Sequence, residues 1–255
     1  MSIDPTDPRS PSKQIAAVLR AGIESGEMTP GSKLPSEREL ADTYGVAPQT
    51  AREAMKILKN EGLAVGQSGK GVFVRKTPPL IRMGIERFSR AKRAAGLAAQ
   101  KSEAVSLGLS SRQEVLELAE VPAPEWVAAW YGIEAGAPVF KRSRREWVNE
   151  EPNQVADSYY RPEIVEGTAI KEQSTGPGGS YARLEERGHI LTRFHEEIRT
   201  RMPSPDEVRI LRLPPGTPVV TVLRIAMTHD GPIEVFSSVM NGASVTFVYD
   251  FDAPE

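Results

Sequence analysis

The most pointed chemistry in the first half of the chain belongs to Gln49, Thr50 and Arg52, at the start of a predicted helix opened by Pro48. An amide can read a base edge, a threonine can bond a phosphate or touch a thymine methyl, and a guanidinium can fork onto guanine or phosphate. Arg38, near the start of the preceding predicted helix, is placed to reach a nucleic-acid backbone. Ser36 stands where helix N–H groups attract phosphate. Lys70 and Gly71 occupy a turn suited to a minor-groove or phosphate contact. Other chemistries are thinly supplied. The absence of cysteine excludes disulfides, thiolate metal sites and thiol nucleophiles. His189, His195 and His229 lie on separate predicted segments without a short ligand spacing, so no metal, no cofactor and no catalytic residue is expected.

Three helices and two strands must position those groups. Ser10 caps the first helix, Pro11 lies in its first turn, Ile15, Val18, Leu19 and Ile23 recur at helical spacing, and Gly26 ends it. Ser36 and Glu39 form a capping box for the second helix, which stops at Tyr44-Gly45. After the tight link Val46-Ala47, Pro48 opens the third helix, with Ala51, Ala54, Met55 and Leu58 facing inward and Gly62 closing it. This spacing predicts a helix-turn-helix. Brief strands over residues 63–65 and 71–74, joined by a turn at 67–70, predict a wing.

Charge separates the two halves. Residues 1–103 carry 17 Lys/Arg against 11 Asp/Glu, and residues 104–255 carry 15 against 23. A basic module joined to an acidic one fits a nucleic-acid reader fused to a domain with another task. The acidic part alternates helix and strand signals. Helices are predicted near 124–131, 162–166, 181–187 and 205–211, and strands at 139–148, 153–160, 189–201, 218–228, 232–241 and 245–251. His229-Asp230-Gly231 is a hairpin turn signal. Strands joined mainly by hairpins imply an antiparallel sheet with helices on it, hence an α+β fold. Trp126, Trp130 and Trp147 are expected in a core or interface rather than as a ligand cage.

The stretch Pro30-Gly31-Ser32-Lys33-Leu34-Pro35-Ser36-Glu37-Arg38-Glu39-Leu40-Ala41, with Gly45-Val46, Arg52-Glu53-Ala54 and Asn60-Glu61-Gly62-Leu63, resembles the winged-helix domain of the GntR family of bacterial regulators. The resemblance implies operator contacts by Arg38, Gln49, Thr50, Arg52 and Gly71. The second half resembles the UTRA effector-binding domain of the HutC branch, whose fold is like that of chorismate lyase. Val139-Phe140-Lys141 with Arg144, Ser158-Tyr159, Tyr181 with Leu184-Glu185, residues 213–218 and Gly231-Pro232-Ile233-Glu234 carry that likeness. It implies an effector held against the sheet by Arg144, Ser158, Tyr181 and Glu234. Gly179 and Ser180, after Gly178 at a helix start, offer backbone N–H groups to a carboxylate or phosphate. Glu146, Ala156 and Met240 depart from the sugar-phosphate-binding members, so the implied effector is neutral, zwitterionic or apolar.

The domain expectation is a flexible arm over 1–9, a winged helix-turn-helix over 10–76, a linker over 77–103 with part of a strand or helix in it, and an effector-binding and dimerisation domain over 104–255. Expected partners are palindromic double-stranded operator DNA, a small-molecule effector and a second copy of the chain. No apolar run spans a bilayer and no secretory signal is evident, so a cytoplasmic, nucleoid-associated protein is expected. Two alternatives are a purely architectural DNA binder and a lyase-like enzyme. In the latter, Arg144, Glu146, His195 and Glu234 would supply acid, base and anion clamp.

Overall fold

The computed structural model describes residues 3–76, 80–96 and 107–251. The chain divides into two compact units, one formed by Met1–Pro78 with Leu213–Thr217, the other by Pro79–Arg212 with Pro218–Glu255.

In the first unit, α1 (Pro11–Glu24), α2 (Glu37–Tyr44) and α3 (Pro48–Asn60) precede the antiparallel hairpin of β1 (Ala64–Gln67) and β2 (Gly71–Val74). Both halves of the α2 capping box form. Ser36 Oγ accepts from Glu39 N–H at 3.2 Å, and Glu39 Oε2 accepts from Ser36 N–H at 2.7 Å. Ser10, by contrast, makes no side-chain capping bond to α1, where Pro11 removes one orphan donor itself. Ile15, Leu19, Leu40, Ala51, Ala54, Met55 and Leu58 close a core with Leu34, Ala64 and Val74, whereas Val18 faces solvent. Each buried leucine contributes about 1.5–3 kcal/mol. The arm expected to be flexible is held down over residues 3–9. Gln14, largely buried, accepts from Asp4 N–H and donates to the carbonyls of Asp4 and Arg9, each at 3.0 Å.

The second unit starts with β3 (Ile81–Gly84), a 3-10 turn (Ile85–Phe88) and α4 (Arg90–Ala94). Thus residues 80–96 of the expected linker are structured within this unit, and residues 97–103 lie outside those described. Next come β4 (Ser111–Pro122), α5 (Glu125–Tyr131), β5 (Pro138–Val148), β6 (Glu151–Tyr160), α6 (Pro162–Val165) and α7 (Gly179–Glu186). The chain continues through β7 (Arg193–Arg201), α8 (Pro205–Ile210), β8 (Val219–Thr228), β9 (Gly231–Asn241) and β10 (Val245–Val248). The main sheet is antiparallel with strand order β4-β5-β6-β9-β8-β7.

Strand alternation sends successive side chains to opposite faces. On one face Val139, Tyr159, Ile225 and Val235 pack against Val127, Ala128 and Tyr131 of α5. On the other, Phe140, Tyr160 and Ala226 meet Val165, Tyr181 and Leu184. Two strands depart from expectation. β4 was not foreseen, because Val115, Leu118 and Val121 recur every third residue and a bulge between Val115 and Glu117 hides the period of two. β10 pairs in parallel with β3 rather than extending the antiparallel sheet.

Two glycines differ in what holds them. Gly45, the C-cap of α2, has φ +64° with open space where a Cβ would lie. Gly178, ahead of α7, has φ +78°, and a Cβ there would lie 2.7 Å from Ala182 Cβ and 2.9 Å from the Arg93 carbonyl oxygen. Gly45→Ala should therefore cost about 1 kcal/mol of backbone strain, and Gly178→Ala distinctly more because a clash is added. Thermal denaturation checks the order. Equal losses at both positions would show that the loop before α7 yields.

Candidate functional site

The outer face of α3 and the start of α2 form a lightly paired polar surface. Arg38 is 92% exposed and comes no nearer than 3.9 Å to Asp42. Arg52 lies 3.1 Å from Glu37, and Gln49 Nε2 donates weakly to Glu53 at 3.4 Å. Such exposed pairs are worth roughly 0–1 kcal/mol, so redirecting either side chain to another partner costs little. Thr50 is half-buried beside them, while Lys70 and Gly71 are exposed at the tip of the β1–β2 turn. Ser36 Oγ accepts from the Glu39 N–H, and its hydroxyl also bonds the Glu39 carboxylate.

A cavity of about 100 Å³ lies within the second unit, on the sheet face that carries Tyr160 and Ala226. Strand register explains its lining. Arg142, Ser158, Phe236, Arg224 and Glu196 share one row across β5, β6, β9, β8 and β7. The next row on the same face holds Arg144, Ala156, Ser238 and Val222, and the one after it Glu146, Gln154 and Met240. Gly178, Gly179, Ser180 and Tyr181 at the start of α7 form part of the rim, with Met83 and Arg87 of the β3 segment.

The charged groups of this face are engaged very unequally. Glu234 is fully buried, and its two oxygens accept from Tyr160 at 2.7 Å and Tyr181 at 2.6 Å, bolting α7 to the sheet. Burial pushes its carboxyl toward the neutral form, but Arg224, the Tyr181 hydroxyl and Arg144 outweigh that and hold it below the ordinary range. Arg142 is occupied by the carbonyls of Ile170 and Gln173 at 3.0 and 3.1 Å, so it anchors a loop. Arg87 holds Glu196 through two contacts of 2.8 and 2.6 Å and the Gly84 carbonyl at 2.7 Å. Arg144 donates to Ser158 Oγ at 2.9 Å and lies 3.4 Å from Glu146.

Arg224 differs from all of these. It is 7% exposed, stacks over Phe236 at 3.9 Å, and reaches Glu196 and Glu234 only at 3.8 Å. Among the described residues it donates no hydrogen bond, and its Nε is an orphan buried donor. Arg87 Nε and the Ser238 hydroxyl are orphaned on the same face. Glu146 is also buried. Its Oε1 accepts from Gln113 at 2.7 Å, and burial lifts its carboxyl above the ordinary range despite Arg144 and Gln113.

Of the residues singled out from sequence, Arg144, Glu146, Gly179, Ser180, Tyr181 and Glu234 line the cavity together. Ser158 lies behind that lining as the partner of Arg144. His195 does not join them. It is paired with Ile225, one residue out of phase with Arg224, and so faces α5, where its ring meets Trp130 at 5.2 Å. Arg87, Glu196 and Arg224 were missed, and only their alternation parity with Glu234 through the register could have indicated the last two. Trp147 is buried among Arg112, Arg145 and Arg212, while Trp126 is 40% exposed.

The chain matches the model of bacterial regulatory proteins of the gntR family over residues 11–74 and that of the UTRA domain over residues 106–246. It belongs to the gntR family and is a transcriptional regulator with a DNA-binding GntR domain and a UTRA domain. It is 34% identical to the uncharacterized HTH-type transcriptional regulator SCO4628 of Streptomyces coelicolor, over 97% of this chain and 95% of that one. It is 27% identical to the HTH-type transcriptional repressor NagR of Bacillus subtilis, over 99% of each. The crystal structure of PhnF from Mycobacterium smegmatis shares the fold at a TM-score of 0.59 and 24% identity, covering 94% of this chain and all of that one. No helix among the described residues is long and apolar enough to cross a membrane.

The buried Glu146 carboxyl makes a stability prediction. Its folded pKa is raised above the unfolded value of about 4.5, so it favours folding below that pH and opposes it as pH rises. Glu146→Gln, which keeps an oxygen for Gln113, should therefore raise the thermal midpoint at pH 7, with the gain vanishing near pH 4. Each kcal/mol recovered corresponds to about 2–4 °C for units of this size. An unchanged midpoint at pH 7 would show that the charge is already fully compensated.

Proposed function

We propose that the protein is a sequence-specific repressor whose operator affinity falls when a small molecule occupies the cavity on the sheet of the second unit. The observation that carries this reading is Arg224, a buried guanidinium at the cavity that donates no hydrogen bond among the described residues. Leaving a buried donor unmade costs about 1–3 kcal/mol, more for a charged group, so a ligand oxygen placed there would recover energy that the unliganded fold forgoes. Arg38, Gln49, Thr50 and Arg52, with Ser36, Lys70 and Gly71, are the proposed DNA contacts. Arg144, Glu146, Gly179, Ser180, Tyr181 and Glu234 are the proposed pocket, with Ser158 behind them. Two chains pair through their second units and place two winged helices on a palindrome, in the cytoplasm at the nucleoid.

The coupling route follows chain order. The segment that leaves the wing contributes Arg87 to the pocket, where it holds Glu196, the same carboxylate that Arg224 approaches. A ligand that draws Arg224 toward itself alters the pairing of Glu196 and, through Arg87, the segment leading to the DNA-binding domain. A lyase-like reading has less support. Glu234 has both oxygens engaged by tyrosines, and His195 lies on the opposite sheet face from the other members of its supposed acid–base set.

Selection from a random duplex pool at near-physiological salt tests the DNA reading. The wild type should enrich a palindrome, and the double variant Arg38→Ala, Arg52→Ala should not. No enrichment by either would overturn sequence-specific recognition. For any small molecule that raises the thermal midpoint, saturation should weaken operator binding by roughly 5–150-fold, and operator should weaken ligand binding equally. A stabilising ligand that leaves operator affinity unchanged removes that ligand as the effector.

A further inference from the structure

Resting on the effector reading, we infer that the pocket selects a ligand carrying an acid and an amine at opposite ends of an apolar spacer. Three juxtaposed features of the sheet face define it. At one end Arg224, on β8, presents a buried guanidinium whose donors take no hydrogen bond among the described residues, beside the rim formed by Gly179 and Ser180. An anionic oxygen there would be met by a forked donor and by the Ser180 N–H, since the Gly179 N–H already donates to the Gly176 carbonyl at 3.3 Å. At the other end Glu146, on β5, is equally buried. Both its Gln113 and Arg144 contacts fall on Oε1, so Oε2 takes no hydrogen bond among the described residues. A ligand ammonium would donate to Oε2 and share this carboxylate with Arg144, which lies 3.4 Å from Oε1.

Between the two ends runs an apolar strip, flanked by Arg144 and the Ser238 hydroxyl of the middle row. Phe236 shares the row of Arg224, Met240 shares the row of Glu146, and Val222 lies on the row between them. All three are buried and line the cavity. Glu146 and Arg224 are three strands and two same-face rows apart. Adjacent strands are about 4.8 Å apart and same-face residues about 6.8 Å, so the two backbones are well separated even after both side chains reach inward. An α-amino acid, with both charges on one carbon, cannot engage both ends. A doubly charged phosphate fits poorly for another reason, since Glu146 would repel any anion that extended toward it.

The full-length protein is titrated by calorimetry and thermal shift with ω-amino carboxylates from 4-aminobutyrate to 8-aminooctanoate. Matched alkyl carboxylates, matched alkylamines, glycine, glucose 6-phosphate and inorganic phosphate serve as comparisons. One member of the amino-carboxylate series should bind at least tenfold more tightly than the carboxylate and the amine of equal length. Arg224→Met and Glu146→Gln should each reduce that binding by tenfold or more. The Glu146→Gln variant is expected to be at least as stable as the wild type, so its loss cannot be ascribed to unfolding. Absence of binding by the whole series overturns the inference, as do equal binding of the simple carboxylate or the phosphates and unchanged affinity in Glu146→Gln. If a phosphate or simple carboxylate binds and weakens the operator complex, the effector reading survives and this inference falls. If an amino carboxylate binds with both variants impaired but operator affinity is unchanged, this inference stands and the regulatory reading fails.

Discussion

The second unit is organised around one buried carboxylate. Glu234 sits at the centre of the six-stranded sheet, and its two oxygens hold Tyr160 of β6 and Tyr181 of α7 while Arg224 balances its charge from 3.8 Å. A carboxylate in that position is tolerable only because it is fully bonded, and removing one partner of such a set typically costs about 3–5 kcal/mol. The bond to Tyr181 fixes where α7 begins. The start of α7 in turn sets the rim of the cavity, so the shape of the pocket follows from how one charge is neutralised.

The arginines around that centre divide by task. Arg142 is occupied by main-chain carbonyls and Arg87 by Glu196, which makes them part of the wall. Arg144 is shared between Ser158 and Glu146. Arg224 alone among these four is buried and makes no hydrogen bond among the described residues, stacked on Phe236. Burial opposes the charge of Arg224, but Tyr181, Glu234 and Glu196 outweigh it, whereas at Glu146 burial prevails over Arg144 and Gln113.

The winged helix uses charge differently. Its proposed DNA contacts are exposed, and their intramolecular partners, Glu37 for Arg52 and Glu53 for Gln49, are near and weak. Salt screens such groups, and they exchange partners at little cost, which suits a surface that must leave one DNA segment and find another. The buried groups of the second unit are shielded from salt and fixed in place, which suits recognition of one small molecule.

How much of this was legible before folding depended on whether the signal was local. The winged helix was readable nearly residue by residue, because capping box, C-cap glycine and helical period are encoded within a few positions of one another. The Ser36–Glu39 box and the inward face Ala51, Ala54, Met55 and Leu58 formed where their spacing required. In the second unit the hairpin at His229-Asp230-Gly231 and the glycine-led start of α7 were equally local. β4 was hidden because its bulge breaks alternation, and the pairing of β3 because its partner β10 lies at the far end of the chain. The pocket was half visible. Motif positions such as Arg144, Tyr181 and Glu234 could be named from sequence, but which charges meet depends on register across five strands. That register places Arg224 on the face of Glu234 and sends neighbouring His195 to the opposite one. Local spacing thus determined the elements and the reading helix, whereas the composition of the pocket was decided only by tertiary pairing, since a one-residue shift in a strand exchanges its two faces.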